Sequence, residues 1–300
     1  MKVLITGATG LIGKELGKAL LQRGHQITVV SRNRQKAKEQ LSFPCDVIEC
    51  DLGRSSFKEK IAVEAVFHLM GENVTASRWN EKVKTEIRDS RVLSTRHLNQ
   101  SLANTVSFYL SSSGVGIYGD QPGVSLTEKS KPDQSYLSQV CVDWENEVDQ
   151  YLKIQPHAIT AKIRTGIVLA PNGGALKKML PAFKMGVGGA LGSGAQYMSW
   201  IHIDDLVGMM IHAFEKRVGG AFNGVAPNPV TNKEFSKTLA STVHRPLGPS
   251  IPKIALKLLF GEMSEIMLAD QKAYPTHALN TGFQFKYGQL EDALKNVLTK

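Results

Sequence analysis

Residues 7–13 read GATGLIG, directly after the apolar run KVLIT (residues 2–6) and directly before a helical pattern. Few folds accept that arrangement. KVLIT has the unbroken apolar character of a parallel strand covered on both faces. In KELGKALLQRG the apolar residues Leu16, Ala19 and Leu20 recur at helical spacing, and Gly24 stands where a helix C-cap belongs. HQITVVSR predicts a second strand, which completes a βαβ unit of about thirty residues. Each glycine has its own task there. Gly7 turns the chain sharply out of the strand, Gly10 removes a Cβ from the path of a pyrophosphate, and Gly13 lets the helix press onto the sheet. The helix N-terminus supplies free N–H groups and the positive end of its dipole. Gly7, Thr9, Gly10, Leu11, Ile12 and Gly13 are therefore the expected dinucleotide contacts, in the spacing G-x-x-G-x-x-G.

The end of the second strand selects the nucleotide. Asp or Glu at that point accepts hydrogen bonds from the ribose hydroxyls of NAD. This chain has Ser31, Arg32, Asn33 and Arg34. A carboxylate repels a 2′-phosphate, whereas a guanidinium pairs with it and stacks on adenine. NADP(H) is the expected cofactor, held by Ser31 and Arg32.

DVIECDL predicts a third strand over 46–52, with Asp51 and Leu52 at the adenine edge. AVFHLMGEN predicts a fourth, closing on Met70, Gly71 and Glu72 near the pyrophosphate and nicotinamide ribose. One long helix is expected over 79–103, a fifth strand at SFYLSSSG, a helix over 135–152, and a sixth strand at HAITAKIRTGIVLA, with Arg164 placed to meet an anionic substrate or a phosphate. Strands alternate with helices, so the fold class is α/β, a doubly wound parallel sheet. After residue 170 the texture changes to Gly/Pro/Asn-rich loops such as APNGG and MGVGGALGSGAQ. SWIHIDDL reads as a strand entering a helix with Asp204 as N-cap. The expected organisation is a nucleotide-binding domain over 1–170, with 200–225 returning to it. A smaller α/β substrate or lid domain over 171–300 covers the crevice.

Composition excludes several alternatives. A 300-residue chain with 42% hydrophobic and 21% charged residues is an ordinary globular protein. No window reaches about eighteen consecutive apolar residues, so no membrane span is expected. Cys45, Cys50 and Cys141 form neither a disulfide framework nor a metal-ligand spacing, which points to the cytoplasm and to no metal. The net charge of +9 stands beside only 7% aromatic residues and no Arg/Lys run interleaved with them. The expected partner is thus an anionic small molecule, with no nucleic acid.

Taken in order, GATGLIG, SRN at 31–33, RWNEKVKTEIRDSRV at 78–92, SSSGVGIYGD at 111–120 and VCVDWE at 140–145 resemble the extended short-chain dehydrogenase/reductase superfamily of NAD(P)-dependent epimerases and dehydratases. The resemblance is to its atypical "epimerase family protein" branch. It continues through RTGIVLAPNGGAL at 164–176, GGALGSGAQYMSWIHIDDL at 188–206 and NGVAPNPVTNKEF at 223–235, over essentially the whole chain. It implies a Rossmann domain, a small C-terminal domain and NADP(H) binding, and no particular substrate.

Members of that superfamily pass a proton through the Tyr of Y-x-x-x-K, with a Lys one turn later lowering the phenol pKa from about 10 and a Ser orienting the substrate oxygen. Here Tyr136 is followed four residues later by Val140; alignment through Glu145 gives Leu137 and Cys141 instead. Neither register supplies the Lys. Ser113, then Ser112, is the expected orienting hydroxyl, and Tyr118 a further catalytic candidate with a structural role as its alternative. Glu72, Asn73, Lys84 and Arg91 are the polar groups able to replace the relay. His202 reads as a packed histidine. The expected activity is hydride transfer on an unidentified small carbonyl or hydroxyl substrate, by an oxidoreductase or epimerase-like enzyme. The alternative is a catalytically silent module that binds or senses NADP(H). Monomer and homodimer both stay open.

Overall fold

In the computed structural model, which describes residues 1–171 and 173–299, the apolar runs become one parallel sheet with helices on both faces. Asn172, within APNGG, and Lys300 lie outside the described residues. The strands are β1 (Lys2–Thr6), β2 (Gln26–Ser31), β3 (Asp46–Glu49), β4 (Ala65–His68), β5 (Phe108–Gly114), β6 (Ser125–Leu126) and β7 (Ile159–Thr165). They continue with β8 (Ile167–Leu169), β9 (Tyr197–Met198), β10 (Trp200–His202), β11 (Gly220–Gly224), β12 (Val230–Thr231) and β13 (Lys272–Ala273). The helices are α1 (Leu11–Gln22), α2 (Arg34–Gln40), α3 (Glu81–Asp89), α4 (Val92–Ser101), α5 (Tyr136–Ile154) and α6 (Gly174–Lys184). After them come α7 (Ile203–Glu215), α8 (Asn232–Thr242), α9 (Lys253–Phe260), α10 (Ser264–Leu268), α11 (Thr276–Asn280) and α12 (Leu290–Thr299).

The main sheet runs β11-β7-β5-β4-β1-β2-β3, every pair parallel. Strand order reverses between β1 and β4, so a crevice opens at their carboxyl ends. Both strands read as apolar runs because helices cover both faces: Val3, Leu4, Ile5, Ala65, Val66 and Phe67 are all fully buried. α7 is apolar nearly all round, burying Leu206, Met209, Met210 and Phe214, because it lies in the core with α1 and the sheet. Residues 220–224 pair with β7 inside this sheet. A second core gathers Leu176, Phe183, Trp200, Phe235 and Leu294 from α6, β10, α8 and α12. Asp205 at the start of α7 ties the two together, accepting from the N–H groups of Lys286 (2.8 Å) and Tyr287 (2.9 Å).

Several local expectations give way to side-chain chemistry. The helix expected over 79–103 divides into α3 and α4. Ser90 Oγ and Arg91 Nη1 both donate to the Ile87 carbonyl, and the Arg91 N–H turns to Arg88 O, so the chain leaves the helical ladder there. The third strand ends at Glu49, and the expected sixth strand divides at Gly166 into β7 and β8, which belong to different sheets. The N-cap of α7 is His202, not Asp204: its Nδ1 accepts from the Asp204 N–H at 3.0 Å. The His202 ring is fully buried over Tyr287, with centroids 3.9 Å apart.

Beneath the crevice, His68 joins three elements. Thr95 Oγ1 donates to the Arg91 carbonyl, so it accepts from His68 Nε2–H (3.0 Å), and Nδ1 is left to accept from Thr6 Oγ1 (2.7 Å). Those roles assign the neutral Nε2–H tautomer. Complete burial pulls the His68 pKa from 6.5 down to about 3. Between those values the unfolded chain takes up a proton that the folded chain refuses. This contribution to stability is therefore complete above about pH 6.5 and is lost as the pH falls toward 3. His68→Gln is expected to flatten that dependence: urea midpoints measured from pH 7 to pH 4 fall less steeply than in the wild type. Identical slopes would remove His68 from the acid sensitivity of the fold.

Candidate active site

At the end of β1, Gly7 takes a left-handed φ of +68°. A Cβ there would stand 2.7 Å from the Leu69 carbonyl oxygen, so only a glycine lets the exits of β1 and β4 touch. A Cβ on Gly13 would lie 2.4 Å from Gly7 O and 2.6 Å from Ala8 Cα, which is how closely α1 starts against the turn. Gly10 is the N-cap of α1 and offers no side-chain acceptor, and the first helical turn holds no acid. The first-turn N–H groups of Leu11 and Ile12 thus combine with the positive dipole end, with Thr9 half-buried in the turn beside them. This donor set fits a diphosphate.

The flanks of the opening come from β2 and β4. Ser31 closes β2, its hydroxyl donating to Asn33 O (3.2 Å), and Arg32 follows as an exposed side chain 3.6 Å from Glu72, just past β4. The structure therefore sets the Gly7 turn against the Leu69–Met70 backbone and Arg32 against Glu72, while the Met70 side chain packs on the core with Leu4 and Val66. Asp51 stands past β3, where its Oδ1 accepts from the Gly53 N–H (3.1 Å). Leu52 does not join them. The turn at Asp51 rotates its side chain into the core with Leu4, Val66 and Leu98, and its carbonyl accepts from His97 Nδ1 (2.8 Å).

On the other side of the crevice, the residues expected to meet substrate are joined to one another. Ser113 Oγ donates to Glu145 Oε1 at 2.8 Å. Arg164 grips the same carboxylate with two parallel bonds, Nε to Oε1 (2.8 Å) and Nη2 to Oε2 (2.9 Å), both side chains only 10% exposed. Arg164 Nη1 continues to the Tyr118 hydroxyl (2.9 Å) and the Glu128 carbonyl (3.0 Å), and that hydroxyl donates to Asn223 Oδ1 (2.7 Å). Burial opposes the Arg164 charge, but the bonds and charge of Glu145 more than offset it and the pKa moves up. Burial also raises the Tyr118 phenol above its ordinary value. Tyr118 and Arg164 thus form a buried bracket across β7, β11 and the turn after β5, their polar atoms bonded to other residues of the chain. Glu145, Asn223 and Glu128 complete it. Glu145 and Asn223 sit in motifs visible in the sequence, VCVDWE and NGVAPNPVTNKEF, though neither stands out there as a site residue; Glu128 lies in none. Ser112 is different: half-exposed near the end of β5, its hydroxyl has no hydrogen-bond partner among the described residues.

The start of α5 supplies the remaining chemistry. Tyr136 lies half-buried, edge-on to Trp79 (centroids 5.5 Å) and beneath the Lys84 ammonium (5.5 Å), with its hydroxyl donating to the Lys84 carbonyl. Arg91 occupies the gap between β4 and α5. Its guanidinium covers the Trp144 ring at 5.4 Å and donates to Glu72 O (2.9 Å), and a Cβ on Gly71 would be 3.1 Å from its Cζ. Burial raises the Tyr136 phenol pKa, and Arg91, Lys84 and Arg88 pull it back only in part. Cys141, at the position a relay lysine takes in one register, is buried, and that burial pushes its thiol up to about 11. Lys84 pairs with Glu262 at 2.6 Å, and Asn73 and Asn80 act locally, accepting from the N–H groups of Thr75 and Val83. Among the described residues no cluster of His, Cys, Asp and Glu is placed to hold a metal, and no helix is long and apolar enough to cross a membrane.

Residues 3–224 match the NAD dependent epimerase/dehydratase family, and residues 251–297 match a domain of unknown function, DUF1731. The chain is 37% identical over 308 residues to the chloroplastic homologue of epimerase family protein SDR39U1 from Arabidopsis thaliana, covering 99% of this chain and 87% of that protein. Its identity to SDR39U1 of Homo sapiens is 34% over 310 residues, covering 99% and 100%. The crystal structure of human epimerase family protein SDR39U1 (isoform 2) with NADPH superposes with a TM-score of 0.89 at 32% identity, over 100% of both chains. A nucleoside-diphosphate sugar epimerase from Corynebacterium glutamicum gives 0.77 at 29% identity, over 99% of this chain and 58% of that one.

The buried bracket has a measurable strength. Arg164→Met leaves the Glu145 carboxylate buried without its cation and is expected to cost about 3–5 kcal/mol. Adding Glu145→Met to it should restore part of that loss, since the pair then disappears together. Guanidinium unfolding of the two single variants and the double variant reads the coupling. Simple additivity of the single losses would mean that the pair is not energetically joined.

Proposed function

This chain belongs to the NAD dependent epimerase/dehydratase family, and from that premise we propose that it binds NADP(H) at the Gly7–Gly13 turn and reduces a small carbonyl substrate. The observation that carries the cofactor reading is Arg32, exposed at the exit of β2 beside the uncapped first turn of α1. No carboxylate of the β2 exit competes for the ribose, and the Arg32–Glu72 pair is exposed, of a kind worth about 0–1 kcal/mol, so a 2′-phosphate displaces Glu72 readily. The NADPH in the human relative's structure supports the same reading. NADPH supplies a hydride when bound.

The residues of the chain assign the rest. Ser112 offers the unpartnered hydroxyl that orients the substrate oxygen; Ser113 is held by Glu145. The Tyr136 hydroxyl, released from the Lys84 carbonyl, donates a proton to a carbonyl oxygen as the hydride reaches the carbon; burial raises its pKa, and Arg91, Lys84 and Arg88 offset that rise in part. Water then returns the proton to the phenol oxygen. Arg91 holds positive charge between the exit of β4 and Tyr136 in place of a lysine on α5. A second reading, a module that binds NADP(H) without turnover, is favoured by one observation: Val140 and Cys141 leave α5 without an ammonium beside either candidate position.

Fluorescence titration is expected to show NADPH binding at least about tenfold tighter than NADH, roughly 1.4 kcal/mol, with Arg32→Glu abolishing the preference. Equal affinities, or no binding of either nucleotide, would overturn the cofactor assignment. The chemistry is tested with 4-deuterated NADPH and a panel of aldehydes, ketoses and keto-sugars. Deuterium is expected in one product, and Tyr136→Phe should bind NADPH as the wild type does while losing about 10²–10⁴ in turnover. Deuterium transfer into no acceptor would support the silent module, and an undiminished rate in Tyr136→Phe would remove the phenol from the reaction.

A further inference from the structure

A crevice of about 730 Å³ lies between α6, whose N-cap Gly173 stands close against Leu11, and the C-terminal ends of α8 and α12. Its volume is that of a small-molecule site. Leu176, Leu180, Val243 and Leu298 form its apolar walls, while Lys177, Lys184 and Arg245 stand at its rim. The arrangement follows from the α6 sequence. Lys177 and Lys184 are seven residues apart and share one helix face, with Leu180 between them; Lys178 leaves that face to donate to Thr75. Among the described residues, neither the Lys177 nor the Lys184 ammonium has an ion pair or hydrogen bond. Arg245 uses Nε and Nη1 on the carbonyls of Lys184 and His244, which fixes the guanidinium at the rim and leaves Nη2 unbonded. Among the described residues, no carboxylate lines the crevice. The apolar surface continues outward past the cations: Met185 is 70% exposed and Val187 57%.

Three cations around an apolar crevice that runs on into exposed apolar surface match a molecule with one anionic end and one long apolar end. We propose that this crevice binds a free anionic amphiphile, a medium-chain carboxylate, with the head group at Lys177, Lys184 and Arg245 and the chain along Leu180, Val243 and Leu298. The head group is held by charge with little desolvation of the lysines, and the chain by removal of apolar surface from water. Both ends of the ligand are required.

Calorimetric titration of the full chain with decanoate, below its micelle concentration, tests this directly. Decanoate is expected to bind with one-to-one stoichiometry. Butyrate, which lacks the tail, and decyltrimethylammonium, which reverses the charge, should bind at least tenfold more weakly. The double variant Lys177→Glu/Lys184→Glu should lose at least tenfold in decanoate affinity and keep its unfolding midpoint; both positions are exposed, so folding is not at stake. Lys184→Gln alone should give an intermediate loss. Four outcomes would overturn the proposal. These are equal binding of decanoate and butyrate, equal binding by wild type and double variant, a heat signal that follows self-association in sedimentation, and retention on phosphatidylglycerol vesicles without binding of the free carboxylate.

Discussion

Two oppositely charged side chains, Glu145 and Arg164, meet in a volume almost closed to water, and a large part of the molecule is arranged around that meeting. Glu145 comes from α5 and Arg164 from β7, next to the edge of the main sheet; between them they hold Ser113 at the end of β5, Tyr118 in the turn that follows, and the Glu128 carbonyl. Through Tyr118 the chain of bonds reaches Asn223 on β11, and through Asn223 the Tyr274 carbonyl near the C-terminal helices. A buried ion pair contributes little net stability relative to a well-packed apolar pair, because desolvation consumes most of its Coulombic gain. What it imposes is geometry. Two parallel bonds from a planar guanidinium to a planar carboxylate allow one relative orientation of α5 and β7, and the turn after β5 must follow.

That bracket separates the two sides of the crevice. On the β1–β2–β4 side the polar groups are the uncapped first-turn donors of α1 and the exposed Arg32, held by its exposed pair with Glu72. On the β5–β7–β11 side they satisfy one another. Ser112 and Tyr136 stand at the border, the first without a side-chain hydrogen bond among the described residues and the second half-exposed, with its hydroxyl on the Lys84 carbonyl.

The nucleotide side was largely legible in the sequence, because what it requires is local. A left-handed φ at Gly7, a missing Cβ at Gly13 and an arginine directly after a strand are properties of neighbouring residues. The substrate side was not, because its partners lie far apart in the chain: Tyr118 and Asn223 are separated by 105 positions. Read one at a time, Ser113 and Arg164 are groups able to meet a ligand, and only the folded chain shows that both bond to Glu145 and that Arg164 bonds to Tyr118. The helix expected over 79–103 failed for a related reason. Its apolar period was genuine, but Ser90 and Arg91 carry donors that compete for the Ile87 carbonyl, and an apolar pattern does not register that competition. Leu52 shows the same limit on a smaller scale. An apolar run extended the strand by three residues, while Asp51 was able to make a turn with the Gly53 N–H.

Gly166 divides what would be one strand, and its surroundings explain why a side chain is not tolerated. A Cβ there would stand 2.4 Å from Ser199 O; its own N–H donates to Gly224 O, and the next N–H donates to Ser199 O. Strands from two sheets and the exit of a third segment are knotted together within two residues. A chain cut after residue 170 would lose β11, which covers the edge of β7, and α7, which fills the core beneath α1. The nucleotide-turn half therefore does not close its own sheet and core: both are completed by segments that follow Gly166, so the two halves must fold together.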